Sequence, residues 1–415
     1  MPCSNSLRYC TALLVTGFVV LTFSASAQTF SVLHDFTAGL DGIYPYAGLS
    51  IDRNGTTLYG TSSEGSADDG GAAYKLTLKN GSWVFVPLYS FGDVNGEGVG
   101  PLARPILGPN GSLYGTTSGG PNGCGGCGTV YNLRPSPTIP ESLLSPWHEG
   151  ILYQFMDGSD GASPGNGDLY FDSAGNIYGT TFSGGDLQAC GGFGCGTVFK
   201  LTPSGDGWTK TTILAFNGND GATPYSGLTP DAAGNLYGTT VEGGAHQNGT
   251  VYQLTPSGGS WTQTILYDFP NSNDGHWPVG GLVSDAAGNL YGATEVGGSA
   301  GGGTVYELTN SDGHWTFTVI YSFSGHAGPY SKLAMDAAGN LFGTTYGDGS
   351  AGVGTVFKLM RSGSGWTYAL LHDFTGGSDG ASPLGGVLLD AGGHVYGTAE
   401  MGGAHGWGVV YKVAP

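Results

Sequence analysis

Short apolar runs alternate with glycine-rich polar stretches along most of the chain, and the runs are too short and too often broken for helices. The run Asn235-Leu236-Tyr237-Gly238-Thr239-Thr240 sets the pattern: two apolar residues, a glycine, then two β-branched hydroxyl residues. It recurs with drift seven times, its aromatic falling at Tyr59, Tyr114, Tyr178, Tyr237, Tyr291, Phe342 and Tyr396, at intervals of 51 to 64 residues. After each copy and a glycine-rich stretch comes a second run, as in Gly249-Thr250-Val251-Tyr252-Gln253-Leu254. A third segment is led by Trp and ends in an aromatic, as from Trp261 on to Phe269. Before each copy lies an apolar stretch ending at an acid, as in residues 281–285. Four β-type segments repeated seven times at this period predict an all-β fold, a seven-bladed β-propeller of four-stranded blades.

The turn between first and second segments is tight. Asp231-Ala232-Ala233-Gly234-Asn235 offers Gly where a positive φ is needed and an Asp that can accept from turn amides. The ends of the repeat array check the architecture independently. Residues 30–36 match the fourth segment and residues 408–413 match the third, so the N-terminal strand is expected to complete the C-terminal blade and close the ring. Phe36, Phe91, Phe155, Phe216, Phe269, Phe323 and Phe374 then give seven fourth strands for seven second strands. The long connections, fourth-to-first and second-to-third, fall on one face, which is where a rigid scaffold carries its binding residues. A Pro-rich insertion, residues 134–150, lies on the short-loop side or the outer rim.

Composition narrows the alternatives. Of 415 residues 81 are Gly and 21 Pro, which without a Gly-X-Y period excludes collagen and leaves little room for long helices. Aromatics at 12% are too rich for a chain that cannot build a core. Residues 1–27 read as a secretory signal: Arg8, an apolar run over 12–23, then Ala25-Ser26-Ala27. Residues 28–415 form one propeller domain, exported to the periplasm or beyond the cell, with no membrane span in the mature chain, and expected to be a monomer. Removing the signal removes one base and no acid, leaving 11 Lys and Arg against 31 Asp and Glu. No basic surface for nucleic acid can be assembled from that balance.

The combination of Asp-Ala-Ala-Gly-Asn-Leu-Tyr-Gly-Thr-Thr, a Gly-Gly loop and Gly-Thr-Val-Phe-Lys-Leu resembles the GloVer-type tandem-repeat family of exported bacterial proteins. The resemblance covers nearly all of the mature chain. It implies a propeller-like repeat and carries no established activity, cofactor or site.

Three sets of residues invite chemistry. Cys124 with Cys127 and Cys190 with Cys195 are close pairs in second-to-third loops of neighbouring units, expected as disulfides in an exported protein, with a four-thiolate zinc site as the alternative. Asp41, Asp160, Asp220, Asp274 and Asp379, with Glu97 one position offset, recur in the fourth-to-first loops. They read as turn-building residues, or as an acid ring at the channel mouth that could hold Ca²⁺. No other cofactor is indicated. The third set departs from the repeat: Tyr44, Tyr46, Tyr225, His276, Trp277 and Tyr330 in the fourth-to-first loops, His246, His405 and Trp407 in the second-to-third loops, with Glu64, Glu242, Glu295 and Glu400 nearby. Aromatics beside carboxylates suit a sugar-binding surface, against the plainer reading of loop packing. The sequence therefore reads as a non-catalytic module binding carbohydrate or a cell-surface partner through its long-loop face. The alternatives are a polysaccharide-active hydrolase or lyase using acids and His at the channel mouth, and a purely structural interaction scaffold.

Overall fold

The computed structural model describes residues 28–92, 98–120, 127–135, 147–270, 273–325, 327–363 and 365–415. The signal segment, Glu97, Cys124 and residues 136–146 of the insertion lie outside the described residues. Seven four-stranded antiparallel sheets form the ring of a seven-bladed β-propeller. A representative blade runs Thr229–Pro230, Leu236–Thr240, Thr250–Ser257 and Ser260–Asp268, in that order from the axis outward. Thr29–Asp35 pairs antiparallel with Val409–Ala414, Thr29 opposite Ala414 and Asp35 opposite Val409, so the N-terminal strand completes the last blade.

The repeat residues make the blade by specific contacts. Asp231 accepts from the amides of Ala233 and Asn235, from the Asn235 side chain and from the Tyr237 hydroxyl, at 2.7–3.0 Å. Burial opposes its charge, but these bonds outweigh burial and hold its carboxyl below the usual carboxylate range. The same arrangement locks Asp172 and Asp285. In five blades the last Thr of the second strand meets the first Thr of the third through paired hydroxyls, Thr240 with Thr250 at 2.9 Å and Thr181 with Thr197 at 2.8 Å among them. Gly238 is required because a Cβ there would lie 2.5 Å from Tyr252 Cζ.

That third-strand aromatic is also the joint between blades. Phe269, ending one blade, packs edge-on to Tyr306 of the next, and the seven equivalent pairs have ring centroids 5.0–5.4 Å apart. The pair Phe36 and Tyr74 crosses the point of closure with the same geometry. The Trp of the fourth strand adds a second joint, Trp315 against Tyr237 and Trp83 against Tyr396. Burying these rings between blades is what holds the ring together.

The Tyr252 hydroxyl is buried without a hydrogen-bond partner among the described residues, whereas Phe199 and Phe357 fill the same station without one to satisfy. Tyr252→Phe is therefore expected to raise stability by about 1 kcal/mol, read from urea unfolding, since it removes an unpaired buried donor without changing shape.

The first strands are shorter than the sequence implies. Residues 281–285 were expected to pair, and only Val283–Ser284 does. The approach is Pro278-Val279-Gly280-Gly281, whose proline has no amide hydrogen and whose Gly280 packs against the neighbouring blade, a Cβ there lying 2.7 Å from the Ser331 carbonyl carbon. These approach segments leave the ladder and line the axis.

Candidate functional site

The long loops share a face, and bridges between them occur within individual blades, Ala222 with Glu242 and His276 with Val296 among them. Each fourth-to-first loop also donates one backbone N–H to the second-to-third loop of the preceding blade. The seven donors are Tyr44, Gly100, Ser163, Thr223, Trp277, Gly328 and Ser382, at 2.8–3.2 Å. Tyr44 and Trp277 thus occupy a structural station, with φ of 57° and 58°, that Ser163, Thr223 and Ser382 fill elsewhere with the same left-handed backbone. Tyr44 packs edge-on to Trp407 at 5.8 Å, while Trp277 stays exposed beside His276 at 5.3 Å. Burial holds His276 below the ordinary imidazole range, against the opposing pull of Glu295.

On the axis the picture changes. In six blades the residue after the proline of the approach segment lines the axial cavity, and from blades one, four and six these are Tyr46, Tyr225 and Tyr330. Their hydroxyls meet across the channel: Tyr46 and Tyr225 are 2.6 Å apart, and Tyr330 donates to Tyr225 at 3.1 Å. Phe182 and Tyr346 pack edge-on against this trio, at 6.1 Å from Tyr225 and 5.5 Å from Tyr330, and Tyr346 donates to Glu295 at 2.8 Å. Burial and the mutual repulsion of neighbouring phenolates push Tyr46 and Tyr330 far above the ordinary phenol range, so both stay protonated.

Two residues further along, or three in the third blade, lies a second layer, formed by Gly48, Arg104, Asp168, Gly227, Gly281, Lys332 and Gly386. Backbone proximity ties it into one ring: a Cβ on Gly48 would lie 2.7 Å from Gly386 O, and one on Gly386 3.1 Å from Lys332 O. Three of the seven positions carry charge in place of glycine. Arg104 donates to Asp168 at 2.5 Å across adjacent blades. Lys332 reaches past Gly281 to the Thr229 hydroxyl at 3.2 Å. The two layers and the inner strands, down to Met335 and Leu389, line a half-open cavity of ≈ 300 Å³. Burial lowers the Lys332 ammonium to about 8, with Asp168 pulling the other way and Arg104 adding to the depression.

The remaining candidates do not reach this cavity. Asp41 accepts from Thr37 and Gly39 amides and from His34, and despite burial these bonds hold its carboxyl at about 2. Asp160 binds Tyr153 and the Met156 amide, Asp220 the Asn217 amide, Asp274 Tyr267, and Asp379 His372 and Thr375. Each acid staples its own loop. Among the described residues no three His, Cys, Asp or Glu side chains group to hold a metal ion. His246 and His405 occupy matching Gly-Gly-Ala-His loops and pair with Asp268 and Asp35, at 3.0 and 3.2 Å, on separate blades. Cys190 is bonded to Cys195, and Cys127 is itself disulfide-bonded, so none of these three described cysteines offers a thiolate to the zinc alternative.

Of the sequence candidates, then, Tyr225 and Tyr330 come together, joined by Tyr46. Sequence reasoning missed Arg104, Asp168, Lys332 and Asn166. The signal for Arg104, Asp168 and Lys332 was the same departure from the repeat, read one station later, where the other four units carry glycine.

Fold and site together define a seven-bladed propeller with a tyrosine-capped axial cavity lined by apolar and charged side chains. The profile of the Gloeobacter/Verrucomicrobia repeat matches residues 16–188, 145–334 and 301–415, and the chain belongs to that repeat family. No curated protein matches it. Among solved structures, a polysaccharide lyase of family PL25, an ulvan lyase bound to a glucuronate-rhamnose sulfate unit, is similar over 92% of this chain and 94% of its own, with TM-score 0.54 and 12% identity. A candidate 6-phosphogluconolactonase from Bacteroides uniformis covers 79% of this chain and 84% of its own, with TM-score 0.52 and 13% identity. The extracellular domain of a candidate one-component system from B. thetaiotaomicron covers 92% of this chain, which spans 39% of that one, with TM-score 0.53 and 11% identity. At these identities the likeness is one of fold. No helix among the described residues is long and apolar enough to cross a membrane.

Proposed function

We propose that the protein is an exported binding module that takes a carbohydrate of about one sugar ring in its axial cavity, without catalysis. The observation that carries this reading is the convergence on the axis of side chains from separate blades: the tyrosine trio, Asn166, and the charged layer beneath. Hydroxyl, amide and carboxylate groups around a cavity of ≈ 300 Å³ match the size and hydrogen-bonding demands of a small polyol. Binding is favoured over glycoside hydrolysis because Asp168 is the one carboxylate among the lining residues and Arg104 already holds it, whereas hydrolysis uses two acids. Export is supported by the pattern of residues 1–27 and by the disulfide Cys190–Cys195.

A monosaccharide panel run by calorimetry, beside a reducing-end assay on polysaccharides, tests the reading. A Cβ on Gly281 meets nothing nearer than 3.4 Å, so Gly281→Leu is expected to fold, fill the cavity and weaken sugar binding more than tenfold. Unchanged binding in Gly281→Leu would move the site elsewhere, and released reducing ends would make the protein an enzyme.

A further inference from the structure

The charged layer does not balance itself. Arg104 and Asp168 neutralise each other at 2.5 Å, while the hydrogen bond of Lys332 goes to the uncharged hydroxyl of Thr229. A cation in a half-buried channel without its own counter-ion is left uncompensated. Its placement is also against the composition, since the whole chain has 12 Lys and Arg against 31 Asp and Glu, and two of those bases stand in one axial layer. Two further lining atoms, Arg104 Nε and Asn166 Oδ1, are buried without a hydrogen-bond partner among the described residues. One is a donor and the other an acceptor.

We propose that the axial cavity is built for an acidic sugar, a uronate, whose carboxylate pairs with Lys332 and Arg104 Nε while its hydroxyls engage Asn166 and the tyrosine trio. This deepens the carbohydrate reading and rests on it. A carboxylate supplies the charge that Lys332 lacks and accepts from Arg104, whose remaining face stays on Asp168. A neutral sugar leaves both unmet. The groups facing Lys332 are Arg104, Asp168, Thr229 and the tyrosine hydroxyls, and of these Tyr46 and Tyr330 stay protonated far above neutral pH. Lys332 itself titrates near 8 in the free protein because burial disfavours its charge. It is therefore charged and competent at pH 7, and affinity for an anion should fall as pH rises past 8, by about tenfold per unit until the pKa of the bound state is reached.

The test is calorimetry of the full mature chain with glucuronate and galacturonate beside glucose, galactose and acetate, at pH 7.0 and 9.5. The expected result is a uronate affinity at least tenfold above that of the parent sugar and of acetate at pH 7.0, lost at pH 9.5. In Lys332→Met the ratio of uronate to parent-sugar affinity should fall to about one, and Lys332→Arg should retain the advantage at both pH values. Circular dichroism melts confirm that the variants fold, and Lys332→Gln replaces Lys332→Met if that chain does not. Sugars bound without uronate preference, or a preference surviving loss of the lysine, would overturn the acidic-sugar inference and leave the carbohydrate reading standing. Acetate binding as tightly as uronate would overturn it too, and no sugar binding at all would bring down both.

Discussion

A chain beginning after Phe36 is expected to lose its cooperative unfolding transition and to self-associate, whereas the chain from Gln28 melts as one unit. Residues 28–36 supply the whole fourth strand of the last blade, and without them Val409–Ala414 becomes an open edge of unpaired amides and carbonyls. The truncation also removes fully buried Phe36 from its place against Tyr74, and with it the stacks of His34 on Phe85 and Phe30 on His372. Loss of one buried Phe costs about 3–5 kcal/mol, and a domain has only about 5–15 kcal/mol in all. Light scattering after size exclusion, with a thermal melt, reads the outcome, and a peptide of residues 28–37 added in trans should restore the monomer. A truncated chain that stays monomeric with an unchanged melting temperature would mean that this strand does not close the ring.

The second large effect concerns the joints within the ring. Phe269→Ala should cost about 3–5 kcal/mol in urea unfolding, because the ring is fully buried between its own blade and Tyr306 and Phe317 of the next. The matching change Phe36→Ala should cost about as much, since Phe36 and Tyr74 repeat that contact across the termini. Phe193→Ala, at an 80% exposed position, serves as the control and should change stability by no more than about 0.5 kcal/mol. A Phe36 substitution as mild as that control would show that the closing joint is weaker than the other six.

These two expectations stand on features that the sequence displays seven times over. Gly238 reappears in all seven blades, and Asp231, Thr240 and Thr250 in most, because every blade solves the same packing problem, so repetition itself announced strands, turns and joints. Repetition governed the loops as well. Asp41, Asp160, Asp220, Asp274 and Asp379 recur for the same reason the strands do, and each closes its own loop rather than facing the axis. His246 and His405 looked irregular but are a matched pair with one role, each latching a loop to the aspartate that ends a fourth strand.

The axial site was hard to read for the opposite reason. Arg104, Asp168 and Lys332 each occur once, and in the third unit one extra residue between Pro164 and Asp172 displaces Asp168 from its counterparts in a simple alignment. Their convergence depends on ring closure, which places residues from blades two, three and six in a single layer. Local patterns carry no information about that encounter. Tyr46, Tyr225 and Tyr330 were visible as departures from the repeat, but that their hydroxyls touch is a property of the ring alone.

Crystals of the mature chain soaked in glucuronate offer the most direct test that the axial cavity is the binding site. The account predicts a single sugar between the tyrosine trio and the Arg104, Asp168, Lys332 layer, its carboxylate toward Lys332. Sugar bound at Trp277 or elsewhere on the loop face, with the axial cavity holding only water, would contradict it.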